Sequence, residues 1–174
     1  TVYDSSSGTP VAVGTAVVQP DGSYSVTTSV LADGQHPLSV TATDAARNES
    51  QPTSIGTWTI DTSAPNAPSF GSVSQDTGDP TDRNTRDTTL TVTGGPGSAE
   101  PGSTITVYDS SSGTPVAVGT AVVQPDGSYS VTTSVLADGQ RPLSIAAKDV
   151  AGNESLPTSI GTWTIDTAAP SAPS

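Results

Sequence analysis

The sequence predicts an all-β protein made of short antiparallel strands, and three observations point there. Helix formers are scarce among the 174 residues: Lys148 is the single lysine, glutamate occurs three times and methionine never. Such a composition builds no long amphipathic helix. Serine and threonine fill 54 positions, and valine, isoleucine and leucine alternate with them at the two-residue spacing of a half-buried strand. Seventeen glycines and fifteen prolines punctuate these runs, so turns recur every few residues.

Self-comparison sets the organisation. Residues 1–69 realign with 106–174 at an offset of 105, and the first 35 residues of each copy are identical. Nine of the 69 aligned positions differ, among them His36/Arg141, Val40/Ile145, Thr43/Lys148 and Arg47/Gly152. A period of 105 is too long for a solenoid unit and suits a whole immunoglobulin-sized sandwich. The fold class is therefore tandem immunoglobulin-like antiparallel β-sandwich domains joined by short Pro-containing linkers. The linkers are Asp61–Ser69 and Asp166–Ser174, each with two prolines three residues apart, which favours stiff, extended backbone. The expected division is 1–61 as the C-terminal portion of one repeat, 62–68 as linker, 69–166 as a complete second repeat, and 167–174 as the start of the next linker.

The elements of the complete repeat follow in order. A first strand is expected near Phe70–Val73. Thr88–Thr93 alternates, with Leu90 and Val92 on one face; Ser103–Tyr108 does so with Ile105 and Val107. Val116–Val123 is the next strand, and Gln124-Pro-Asp-Gly127 turns the chain, with Pro second and Gly fourth as a tight reversal prefers. Ser128–Val131, Leu143–Ala147 and Thr162–Ile165 complete seven strands, the last two joined by Asp149–Glu154. Residues 1–61 hold counterparts of the later strands but not of Phe70–Val73 or Thr88–Thr93. Two open edges and a half-covered core are the expected result, so 1–61 is not expected to be a self-sufficient domain.

Charge removes several function classes. Seventeen acids against five bases give −12, which repels phosphate backbones and anionic lipid. Without cysteine there is no disulfide framework, thiol nucleophile or Cys-ligated zinc. No apolar run reaches membrane-spanning length, and no basic-then-apolar leader opens the chain. If the protein is exported, its address is expected to lie outside these residues. Neither a Gly-x-Ser-x-Gly elbow nor a His-Glu-x-x-His pair occurs. His36 is the only histidine and the duplicate copy has Arg141 there, so a Ser/His/Asp triad has no basis in one repeat. His36 follows Asp33-Gly34 and is expected in a solvated loop. Trp58 and Trp163 alternate with Thr and Ile, and are expected in the core rather than on a sugar-binding face.

Fourteen of the acids are aspartate, and their placement is the most informative chemistry in the chain. Asp76, Asp79, Asp82 and Asp87 fall within twelve residues of a loop containing Gly, Pro and Asn. Arg83 and Arg86 offset only part of their repulsion. A hard divalent cation, Ca²⁺, taking six to eight oxygen ligands would convert that repulsion into cross-linking. The alternating loops of a seven-stranded sandwich sort the remaining candidates. Glu100, Asp149 and Asn153 are expected at the end facing the preceding domain, where Asp61 would be delivered by its linker. Asp76, Asp79, Asp82, Asp138 and Asp166 are expected at the opposite end. Asp126 is accounted for by its turn.

At these residues the chain resembles a family. Ala99–Asp109, Leu136-Ala-Asp-Gly139, Lys148-Asp-Val-Ala-Gly-Asn-Glu-Ser155 and Ile165-Asp-Thr-Ala-Ala-Pro170 are similar to the bacterial immunoglobulin-like repeats of giant RTX adhesins and biofilm-associated surface proteins. The resemblance implies a calcium-bound extender module, repeated many times, secreted by a type I system and held at the cell surface. It implies Ca²⁺ bound by carboxylates at domain junctions and in the loop after the first strand, stiffening the array. It also implies neighbouring repeats of the same chain as partners, with no nucleic acid, no membrane insertion and a distal ligand elsewhere. Arg47 departs from the glycine that Gly152 supplies, which bears on metal geometry in that loop.

Three functions are consistent with these features. One is a mechanical spacer, which needs length rather than individual sites. A second is a glycan- or protein-binding module, which would show an exposed aromatic platform. A third is an accessory domain of a secreted polysaccharide-degrading enzyme. Few aromatics and duplicated loops favour the first.

Overall fold

The computed structural model describes residues 1–74, 76–79 and 81–172, and the chain forms two compact units, Thr1–Thr62 and Ser63–Ser174. The first unit contains β1 (Val2–Asp4), β2 (Val11–Gly14), β3 (Gly34–Val40) and β4 (Thr53–Ile60). These make one antiparallel sheet in the order β2-β1-β3-β4.

The second unit contains β5 (Ser72–Ser74), β6 (Asn84–Thr85), β7 (Thr91–Gly94), β8 (Thr104–Asp109), β9 (Val116–Val122), β10 (Tyr129–Thr132), β11 (Gly139–Lys148) and β12 (Thr158–Ile165). A three-stranded sheet, β10-β7-β5, faces a five-stranded sheet, β6-β12-β11-β8-β9. Alternation in β7, β8 and β10 sends Val92, Ile105, Val107, Tyr129 and Val131 inward, where they join Leu90, Leu136, Leu143, Ile145, Ile160, Trp163 and Ile165 in one core. Trp163 is 5% exposed, as its strand pattern predicts.

Several boundaries differ from the sequence reading. Leu90 lies before β7 because its amide bonds the Thr133 hydroxyl (3.0 Å) instead of a ladder carbonyl. β11 begins at Gly139 although Gly-Gln-Arg-Pro resembles a turn; Pro142 sits beside the register shift at Leu143/Ser144, where a missing donor is tolerated. The two-residue β6 escapes any periodicity argument. It leaves the acidic loop to pair in parallel with β12, Asn84 opposite Thr164 and Thr85 opposite Ile165. Pro68 is fully buried and its carbonyl accepts the Thr158 hydroxyl (2.7 Å), so the end of the Pro-containing segment packs into the second unit.

Two assignments in the first copy are corrected. His36 is not in a solvated loop; it lies in β3 and is buried. Asp33-Gly34 ends the preceding turn, and from Gly34 onward the two-residue period points His36 and Leu38 inward together. Trp58 is not in a core, for it is 59% exposed on β4. Its strand has the predicted alternation, but among the described residues the first unit forms a single sheet, β2-β1-β3-β4.

Candidate functional site

Turn chemistry gathers the candidate carboxylates of the second unit at its two ends. At one end, Thr104, Val122 and Lys148 mark neighbouring strand termini, and the Gln124–Gly127 turn docks on the 95–99 loop through Gly97 N to Asp126 O (2.8 Å) and Ala99 N to Gly127 O (3.1 Å). Glu100, Asp126 and the Asp149–Asn153 loop therefore share this end, as the sandwich argument expects. At the other end, Asp166 N donates to Thr85 O (2.9 Å) and the Thr167 hydroxyl donates to Asp138 (2.9 Å), which brings Asp138, Asp166 and the end of the acidic loop to one rim. Asp61 closes β4 of the first unit and is exposed.

Asp149, Asp79, Asp82, Asp87 and Asp166 accept hydrogen bonds from residues two to four positions further along the chain. Asp149 Oδ1 accepts the amides of Gly152 (2.7 Å) and Asn153 (2.8 Å), and Oδ2 accepts Asn153 Nδ2 (2.8 Å). The Asn153 side-chain bond leads the forces that hold the Asp149 carboxyl below its ordinary value. Asp79 Oδ1 accepts the Thr81 hydroxyl (2.7 Å) and amide (3.0 Å), which lower its pKa in that order. Asp82 accepts Asn84 N (2.8 Å), Asp87 accepts Thr89 N (3.1 Å), and Asp166 accepts Ala168 N (2.9 Å). Glu100 contributes its carbonyl to the Ser103 hydroxyl (2.7 Å). The aspartate bonds are Asx-type turns, in which a short acidic side chain replaces a backbone acceptor.

The fit to a cation is partial. The donors are hard oxygens, the chemistry Ca²⁺ takes. Among the described residues, however, no three His, Asp or Glu side chains converge to hold a metal ion. One atom stands apart: Asp76 Oδ1 is buried without a hydrogen-bond partner, while Asp76 Oδ2 accepts Arg83 N at 3.3 Å. A buried carboxylate oxygen left unpaired carries a desolvation cost that a bound cation would offset.

The Arg47 departure leaves the loop intact. Arg47 adopts φ 72°, close to the left-handed geometry of Gly152 at φ 100°. Asp44 then holds Asn48 through its amide (2.8 Å) and Nδ2 (2.8 Å), as Asp149 holds Asn153.

Sequence reasoning missed an acid–base pair present in both copies, buried in the first and part-buried in the second. In the first, Asp4 Oδ2 lies 2.7 Å from His36 Nδ1, and His36 Nε2 lies 2.7 Å from the Ala32 carbonyl. Both ring nitrogens face oxygen atoms that can accept, an arrangement the protonated ring satisfies with both N–H groups. The Asp4 bond, then the Ala32 bond, raise the His36 pKa against the effect of burial. In the second copy Arg141 Nη1 donates to Asp109 Oδ2 (3.2 Å) and its Nε to the Ala137 carbonyl (2.9 Å). The available signal was a basic residue replacing a basic residue, with Asp4 and Asp109 on the inward face of an alternating strand. The pair uses the chain's only histidine in holding two strands together.

Two facing sheets, antiparallel except where β6 joins β12 in parallel, define an immunoglobulin-like sandwich. The bacterial Ig domain family matches residues 2–58 and 64–163, and the chain belongs to it. No curated protein matches. Among solved structures, the chain is similar to a biofilm-associated protein BSP domain, with 26% identity over 97% of this chain and a TM-score of 0.39. It is also similar to a tetra-tandem repeat in the extending region of a large adhesion protein, with 28% identity over 95% of this chain and a TM-score of 0.38. The chain spans 25% and 41% of those two chains.

Proposed function

We propose that this chain is a structural extender segment of a bacterial cell-surface adhesin, a stalk that projects a distal adhesive region. The observation that carries the reading is the duplication: 35 residues of strand, turn and loop recur unchanged at an offset of 105. Repetition of this kind adds length and adds no new site. The side chains that bear chemistry serve the fold itself, since the aspartates close turns and the lone histidine joins β1 to β3. Membership of the bacterial Ig domain family supports a non-catalytic role. The loop motifs support the surface-adhesin setting, with neighbouring repeats of the same chain as partners. Trp58 does not argue for a glycan platform, because its duplicate Trp163 is a core residue.

The reading includes calcium as stiffener, bound at loop and interdomain carboxylates. The net charge of −12 and the unpartnered Asp76 Oδ1 support it. A ligand bound only by the folded state stabilises by mass action. Ca²⁺ is therefore expected to raise the melting temperature and chelator to lower it, with Asp79→Asn and Asp82→Asn shrinking the response more than Asp126→Asn. Small-angle scattering tests the stalk: a single maximum dimension and low flexibility with Ca²⁺, greater flexibility with chelator. A melt indifferent to both reagents removes calcium and leaves the spacer. A particle that bends freely in both conditions removes the stiff stalk.

A further inference from the structure

The edges of the second unit's two sheets are not equally guarded. An edge strand presents a row of backbone donors and acceptors, and proteins blunt it with brevity, charge, proline or cover. β6 has two residues and stands among Asp82, Arg83, Arg86 and Asp87, and β5 has three residues. The other two edges are β9, with seven residues, and β10, with four, joined by the Gln124–Gly127 turn. From residue 110 to residue 137 the chain carries one charge, Asp126, and it lies in that turn. In a protein of net charge −12, one side of the sandwich is therefore nearly uncharged.

The longest of these edges is also apolar at its surface. Val116 and Val122, at the two ends of β9, are 51% and 59% exposed, and Val135, on the segment after β10, is 74% exposed. β9 pairs with β8 on one side. On the other, among the described residues, one backbone bond reaches it, from Ser134 N to Val118 O (2.6 Å). A register shift at Val118 bends the strand without adding a charge. The exposure belongs to a complete two-sheet sandwich, and the duplicate Val11 repeats it. Uncharged, exposed valines on a long edge strand mark a docking surface.

We propose that the β9–β10 side is a homotypic docking strip, on which a second copy of this chain packs by the same strip. Charge selects the occupant. Two chains of −12 that meet through their acidic loops set carboxylate against carboxylate, whereas the strip lets them touch with only Asp126 on each. A basic partner finds no row of carboxylates here, and the valines offer apolar area to a like surface. The contact is isologous, each copy contributing the same residues. Residues 5–32 repeat residues 110–137 unchanged, so the strip recurs at an offset of 105 and a weak contact is multiplied along an array. Its use in holding neighbouring stalks side by side rests on the stalk reading; the association itself does not.

Sedimentation of the full 174-residue chain tests the strip. The expected result is a concentration-dependent dimer, favoured as NaCl rises, because salt screens the net repulsion and leaves the apolar contact intact. Amide exchange over residues 116–122 slows in the dimer. A variant carrying Val11→Lys, Val17→Lys, Val116→Lys and Val122→Lys is expected to lose the dimer while its melting curve stays unchanged. These lysines lower the net negative charge, so the loss reports the strip rather than general repulsion. The control pair Val150→Lys/Leu156→Lys, at exposed positions outside the strip, is expected to keep the dimer. A chain that stays monomeric at every salt concentration overturns the proposal and leaves the strip to another partner. A dimer that survives the four lysines overturns it as well, and a shift of Trp58 emission in that dimer places the contact on the first unit. Equal loss in the control pair also overturns it. Scattering separates this outcome from the stalk reading: a dimer of freely bending chains keeps the strip and loses the stiff stalk, and a stiff monomer does the reverse.

Discussion

Residues 1–35 and 106–140 are the same sequence under different cover, and the comparison separates what a strand carries within itself from what it borrows. β1 pairs with β3 as β8 pairs with β11, and both β3 and β11 shift register at the same bulge, Leu38/Ser39 or Leu143/Ser144. The turns agree as well: Asp21 holds Ser23 through amide (2.9 Å) and hydroxyl (2.7 Å), and Asp126 holds Ser128 with the same two distances. Tyr3 reaches Glu49 (3.0 Å) as Tyr108 reaches Glu154 (2.8 Å). Beyond these local features the copies part. β2 stops at Gly14 where β9 runs to Val122, and Tyr24–Thr27 forms no strand where Tyr129–Thr132 does. Edge pairing within one sheet survives without a second sheet; inward side chains and the strand that belongs to the other sheet do not.

The comparison breaks most visibly at the tryptophans. Trp163→Ala removes a buried core side chain and is expected to cost about 3–5 kcal/mol of second-unit stability. Trp58→Ala, at an exposed position, is expected to stay within about 0.5 kcal/mol. Denaturant unfolding of the two variants, followed by the remaining tryptophan and by circular dichroism, measures both. Equal costs would mean that Trp58 is covered in solution.

A smaller effect sharpens the loop comparison. Arg47 occupies a left-handed conformation that glycine adopts without strain, and Gly152 fills the position in the other copy. Arg47→Gly is expected to stabilise the first unit by about 1 kcal/mol, and Gly152→Arg to destabilise the second by a similar amount. Paired melts of the two variants check the symmetry.

The smallest expected effect is one of pH, and it distinguishes the copies by sign. His36 has a raised pKa in the folded state, so its contribution is complete below about 6.5, its ordinary value, and is lost as pH rises through the folded value. Asp4 is held below its ordinary value despite burial, by His36 and by Ser6, so its contribution is present above about 3.8 and is lost as pH falls through the lowered value. The first unit should therefore be most stable between these limits. Arg141 keeps its charge throughout, and the second unit should not weaken on the alkaline side near neutrality. His36→Arg is expected to abolish that loss in the first unit, read from melting curves between pH 5 and pH 9. A first unit whose stability stays flat across that range would remove His36 from the account.

Much of the fold was legible because its causes are local. Alternation in Thr91–Gly94 and Thr104–Asp109 needs only the two-residue period of a pleated strand, and Pro125 with Gly127 reverses the chain by their own backbone preferences. The carboxylate positions were legible for the same reason, since Asp favours turns and the loops of a sandwich alternate between its ends. What each carboxylate does was not: Asp79 and Asp149 satisfy amides two to four residues away, which composition cannot distinguish from waiting for a cation. The Asp4–His36 pair escaped because its two residues are 32 positions apart and each resembles a surface residue alone.

By itself, then, the sequence determined periodicity, turn chemistry and the repeat, all set by steric and hydrogen-bonding preferences within a few residues. Only the tertiary structure decided burial, because burial belongs to a pair of surfaces. Trp58 and Trp163 share their neighbours from Thr53 to Thr62 and from Thr158 to Thr167, yet one faces water and the other a core. The apolar area that a side chain removes from water depends on what stands opposite, and that partner is the 69–105 segment, far along the chain.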